Sequence, residues 1–211
     1  ATSWQGADGR RRAEFLEGAV AEVPAEGTLA PGSYEVVPGT SREELLAAMR
    51  GAQEATLAAA WAGRAEGLPI ETPFEALTLA SIIEKETAVA EERPLVASVF
   101  VNRLNRGMRL QTDPTVIYGV TNGEGTLGRG LRQSELRRAT PYNTYVIEGL
   151  PPTPIANPGA AAIEAALNPD QSDYVFFVAD GTGGHAFART LDEHNANVRR
   201  WREIERQQAN Q

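Results

Sequence analysis

The chain has 211 residues, 42% hydrophobic and 23% charged, with a formal net charge of −8 at pH 7 and no cysteine. That length allows one domain with a real core plus a small appendage. The acidic balance speaks against nucleic acid as a partner, and the missing thiols exclude disulfides, thiolate nucleophiles and cysteine-ligated zinc. No run of about 18 apolar residues occurs, so no membrane span is expected within these residues. The opening "ATSWQGADGRRRAEF" reads as an arbitrary starting point and leaves room for a signal or anchor ahead of it.

Early in the chain, "EGTLAPGSYEVV" predicts turns around one or two short strands. A helix is then expected from Ser41, whose capping box is completed by Glu44. A second, Ala-rich helix is expected over 53–64, closed by "EGLP". Thr72, Pro73 and Glu75 have the cap, first-turn proline and third-position acid of another helix start, running to about Thr87. The next helix is expected over 91–104, ending near Gly107.

Between 107 and 158 helical periodicity fades, apart from a short helix expected around 134–138. So much irregular chain suggests a binding surface. Asn157 and Pro158 open a short helix to Leu167, and "DYVFFVAD" with "HAFA" predicts a hairpin across "GTGG". Thr190 and Glu193 cap a last helix reaching about Arg206. The sum is α+β, helix-dominated in the middle with strands near both ends.

The chemistry concentrates in "LTLASIIEKETAVAEERPLVASVFVNRL". Glu84 and Glu86 point about 200° apart at ~100° per residue, so one cleft can receive only one of them. Both have apolar neighbours that would desolvate a carboxyl and raise its pKa, and the spacing does not choose between them. Spacing alone fits better a solvated helix end, where Lys85 pairs with Glu91 or Glu92. "LQTDPTVIYG" offers Gln111, Thr112, Asp113 and Tyr118, and "PYNTY" offers Tyr142, Asn143 and Tyr145. Tyrosine's flat face and polar handle suit a pyranose ring, though the same residues also pin loops, and Asp113 before Pro114 is a turn former. His185 and His194 form neither an HExxH pattern nor a compact triad, so no metal is expected. There is no GxSxG elbow, and "GTGG" reads as a turn rather than a phosphate loop; no cofactor is expected.

"LTLASIIEKETAVAEERPLVASVFVNRLNRGMRLQTDPTVIYGV", then "PYNTYVIEGLPPTPIANPG" and "YVFFVADGTGGHAFARTLDEHN", resemble in order the blocks of the endolytic murein transglycosylases of the MltG (YceG-like) family. With the upstream "AEGTLAPGSYEVVPGTSREELLAAM", a weakened version of the family's approach segment, the resemblance covers about residues 25–205. It implies a helix-rich catalytic domain over 51–211, preceded over 1–50 by the end of a small β-containing, LysM-like module. It also implies cleavage within nascent peptidoglycan strands between N-acetylmuramic acid and N-acetylglucosamine, leaving 1,6-anhydromuramic ends without added water. The resemblance matches Glu84 to the family's single acid and base, with Lys85 and Glu86 behind it. Gln111, Thr112, Asp113, Tyr118, Tyr142, Asn143, Tyr145 and His185 would line the saccharide groove. Peptidoglycan synthases are the implied partners, and the periplasmic face of the bacterial inner membrane, reached through an N-terminal anchor, is the implied location.

Two other readings compete. A glycan-binding module without catalysis has no use for an acid over an apolar face. A muramidase that adds water needs a second carboxylate, about 5–5.5 Å or 6.5–9.5 Å away according to stereochemistry. Asp113 is the applicant for that place beside Glu84.

Overall fold

The sequence from Thr72 onward builds the centre of the molecule. In the computed structural model, which describes residues 16–209, the Thr72 hydroxyl accepts from Glu75 N at 3.2 Å and Glu75 Oε2 accepts from Thr72 N at 3.2 Å. With Pro73 in the first turn, this fixes the start of a helix over Pro73–Glu86. Every residue from Ala76 to Ile83 is buried, as expected of a helix surrounded by other elements.

Ahead of it, α1 spans Arg42–Ala62, capped by Ser41 and Glu44 as expected; Pro73–Glu86 is then α2. The two helices expected before residue 64 are in fact this single helix. An interior glycine such as Gly51 costs about 1 kcal/mol relative to alanine, which burial of Leu45, Leu46, Met49 and Gln53 outweighs. The domain boundary expected between residues 50 and 51 therefore falls inside α1. No strand forms between residue 16 and α1, only an isolated bridge between Glu17 and Ser41. Residues 1–15 lie outside the described part.

Next come α3 (Arg93–Asn105), α4 (Asp113–Thr121), α5 (Gln133–Arg137) and α6 (Ala160–Leu167). α4 is a helix where irregular chain was expected. Strands β1 (Phe176–Ala179) and β2 (His185–Ala188) pair antiparallel, Phe176 opposite Ala188 and Ala179 opposite His185. α7 (Leu191–Ala209) ends the described chain, and the class is α+β, helix-rich with one two-stranded sheet. α2 lies against α1, α3, α4 and α6, while the hairpin packs on α3 and α7. No helix among the described residues is long and apolar enough to cross a membrane.

Candidate active site

The two carboxylates at the end of α2 go to different places. Glu84 Oε2 accepts from the backbone N–H of Gly159 at 3.1 Å, and Gly159 is the N-cap of α6. Helix N-termini attract acceptors because their first N–H groups have no partner within the helix. Glu84 thereby ties the end of α2 to the start of α6. Glu86 turns the other way, into a cleft of about 330 Å³ that also receives Thr87, His185, Trp201, Gln208 and the glycine turn of the hairpin.

The Glu86 residue keeps some surface, but its carboxyl is enclosed. That burial pushes its pKa up, and the nearby Asp113 carboxylate adds to the rise. A hydrogen bond from the Thr112 hydroxyl and the charges of His185 and Arg103 oppose the rise without cancelling it. Thr112 is held in turn: its N–H donates to the Thr144 hydroxyl at 3.0 Å, which lies 2.8 Å from the Thr115 hydroxyl.

Arg103 organises the strand of chain that delivers these groups. Its Nε donates to Val175 O at 2.6 Å, and its Nη1 to Leu110 O at 2.8 Å and Gln111 Oε1 at 3.3 Å. Gln111 adopts φ of +50°, left-handed backbone that a non-glycine residue rarely takes, and its N–H donates to Thr144 O at 3.1 Å. Beside it the Tyr145 hydroxyl donates to Asp113 Oδ1 at 2.6 Å. Burial and that bond push the Tyr145 pKa up, so the hydroxyl stays a neutral donor.

His185 is fixed by a residue for which a different partner was expected. Glu92 accepts from His185 N at 2.9 Å through Oε1 and faces His185 Nδ1 at 2.8 Å through Oε2. A carboxylate only accepts, so in this bond Nδ1 carries the proton. Phe177 and Phe187 hold the ring edge-on at 5.3 and 6.3 Å. Lys85 is exposed, and Glu92, proposed above for its ion pair, is engaged by His185.

The expected groove residues thus fall into two groups. Thr112, Asp113, Tyr145 and His185 gather around Glu86, while Gln111 is tied one step away to Arg103 and Thr144. Tyr118, Tyr142 and Asn143 hold the chain instead. Tyr118 and Tyr142 pack ring to ring at 4.8 Å, with the Tyr142 hydroxyl 2.7 Å from that of Thr153. Asn143 is buried, its Nδ2 directed at the carbonyls of Glu135, Leu136 and Arg138 at 2.8–3.1 Å. The Tyr142 hydroxyl and the Asn143 amide are thus bonded within the protein, Tyr118 packs through its ring, and none of the three lines the cleft beside Glu86. Sequence reasoning missed Glu92 as the holder of His185, and Trp201 and Gln208 as cleft walls. The available signal for Trp201 is an isolated aromatic in the polar stretch "NVRRWREIERQQ".

An enclosed, titratable carboxyl and a fixed imidazole in one cleft define an α+β domain equipped for acid–base chemistry. The chain belongs to the YceG-like family, whose model matches residues 4–200. It is 40% identical over 173 residues to an endolytic murein transglycosylase of Bacillus subtilis, covering 82% of this chain and 46% of that protein. A protein of the same name from Streptococcus pneumoniae is 36% identical over 180 residues, covering 82% of this chain and 31% of its own length. A crystal structure of a YceG-like protein from Listeria monocytogenes superposes with a TM-score of 0.69 at 39% identity, covering 81% of this chain and 54% of that one. The chain spans about half or less of the length of these relatives.

Proposed function

We propose that this chain is the catalytic part of an endolytic murein transglycosylase and that Glu86, rather than Glu84, is its acid and base. The observation that carries the assignment is the enclosed Glu86 carboxyl, its pKa raised by burial, lining the cleft beside His185. A donor to a glycosidic oxygen must be protonated near neutral pH, which an ordinary glutamate at about 4.3 is not. Glu84, to which the resemblance points, is occupied by the backbone of Gly159.

In this mechanism protonated Glu86 gives its proton to the oxygen leaving C1 of N-acetylmuramic acid. The C6 hydroxyl of the same sugar then attacks C1, and its proton returns to the Glu86 carboxylate. One C–O bond breaks, one forms, no water enters, and the product ends in a 1,6-anhydro ring. The same carboxyl serves both steps, so no second carboxylate is required. Action at the periplasmic face of the inner membrane and association with peptidoglycan synthases belong to the same reading. Cell fractionation and in vivo crosslinking test them; recovery away from the membrane, or no crosslinked synthase, would remove them.

The deciding experiment digests purified peptidoglycan with the chain and with its Glu84→Gln and Glu86→Gln variants, and weighs the products. Internal fragments with anhydromuramic ends are expected, reduced at least ~10²-fold by Glu86→Gln and largely retained by Glu84→Gln. The reverse pattern would return the role to Glu84. Ends heavier by one water would mean a muramidase, with Asp113 as the next carboxylate to test. Binding without cleavage by the unaltered chain would mean a glycan-binding module.

A further inference from the structure

The cleft beside Glu86 has a wall that belongs to neither carboxylate helix. Trp201 and Gln208, from α7, line it together with the glycines of the hairpin turn. That turn approaches α7 as bare backbone. Gly181 has φ of +87°, and a Cβ there would lie 2.9 Å from Ile204 and 3.5 Å from Trp201 Cζ3. The turn residues that line the cleft, Gly181, Gly183 and Gly184, bring no side chain into it; Trp201 is the largest apolar side chain among its lining residues and remains partly exposed.

A pyranose has the complementary shape: one face of C–H groups and a rim of hydroxyl and acetamido groups. Sites for such ligands pair a flat apolar wall with a few convergent polar groups, and indole is the largest flat wall a side chain can supply. Here Gln208 contributes an amide able both to donate and to accept. We propose that Trp201 is the stacking platform of a saccharide subsite next to Glu86, taking an N-acetylated amino sugar whose polar rim meets Gln208. The inference rests on the glycan-cleaving reading above and deepens it: α7 is part of the substrate site as well as the packing partner of the hairpin.

The test uses the full chain with Trp201→Ala, Trp201→Phe and Gln208→Ala. On peptidoglycan strands, Trp201→Ala should raise KM about tenfold while leaving kcat and its pH profile in place, and Trp201→Phe should recover most of the loss. Titration with the N-acetylglucosamine tetramer should change the tryptophan fluorescence of the unaltered chain. The change should vanish in Trp201→Phe, where Trp4 and Trp61 remain. Unchanged KM in a normally melting Trp201→Ala would overturn the subsite. So would a fluorescence response that is missing from the unaltered chain or persists in Trp201→Phe. If Trp201→Ala fails to fold, the fluorescence comparison with Trp201→Phe decides alone. A Trp201-dependent response without any strand cleavage would sink the transglycosylase reading and leave the subsite standing.

Discussion

Glu86 is held in an enclosed place where its neutral form is favoured, and that preference has a sign in stability as well as in catalysis. The unfolded chain releases the proton near ~4.3, whereas burial raises the folded value above it. Above the unfolded value the native state therefore binds more proton than the unfolded one, so this group's contribution to stability falls as pH rises through the window up to the folded pKa. Glu86→Gln removes the titration and keeps an oxygen to accept from the Thr112 hydroxyl. The variant should melt at a higher temperature than the unaltered chain at pH 8, with the gap closing toward pH 4. A gap of the same size at both values would mean that the charge is not what strains the site. If the gap behaves as expected, the carboxyl that lowers stability at neutral pH is the same one proposed to do the chemistry, a familiar trade between activity and stability.

At the scale of elements, the β1–β2 hairpin sets the angle of His185 through one close approach. A Cβ on Gly184 would lie 2.5 Å from Glu92 Oε1, the oxygen that accepts from His185 N. Gly184→Ala should therefore drive the Glu92 carboxylate off His185. It should cost about 1–3 kcal/mol, the scale for hydrogen-bonding groups left without partners. The measurement is a melting curve together with the ring nitrogen shifts of His185, which should lose the signature of a fixed Nδ1 proton. An unchanged curve and unchanged shifts would show that the contact does not orient the ring. The hairpin itself was legible, because "FFVA" and "HAFA" flank a glycine turn, and the three capping boxes named at Ser41, Thr72 and Thr190 all form. α4 was not, because β-branched residues and Gly119 in "DPTVIYGV" disfavour a helix. Burial of Thr115 and Val116, with Pro114 at the first turn, decides it instead. Helical spacing separated Glu84 from Glu86 and stopped there. What distinguishes them, Gly159 for one and Thr112 with His185 for the other, is supplied by distant segments that no local pattern reports.

For the molecule as a whole, the segment before α1 is joined to the rest of the fold by buried polar bonds rather than by a free linker. Gln53, on the buried face of α1, donates through Nε2 to Gly27 O at 2.9 Å and to Pro158 O at 3.1 Å. Leu29 N donates to Asn157 Oδ1 at 3.0 Å, and Leu29 packs with Leu45, Leu46 and Met49 into a small second core. One amide thus spans the upstream turn, α1 and the loop that leads to Gly159, the partner of Glu84. Gln53→Ala would leave two buried carbonyls without their donor, at a cost of about 1–3 kcal/mol. If residues 16–50 are part of one cooperative unit, calorimetry should show a single transition for the unaltered chain and a single, lower one for the variant. Two transitions, with only the weaker one shifted, would mean that the upstream segment unfolds as a module of its own. The ties at Gln53 and Asn157 would then be contacts between units, not part of the core that carries Glu86.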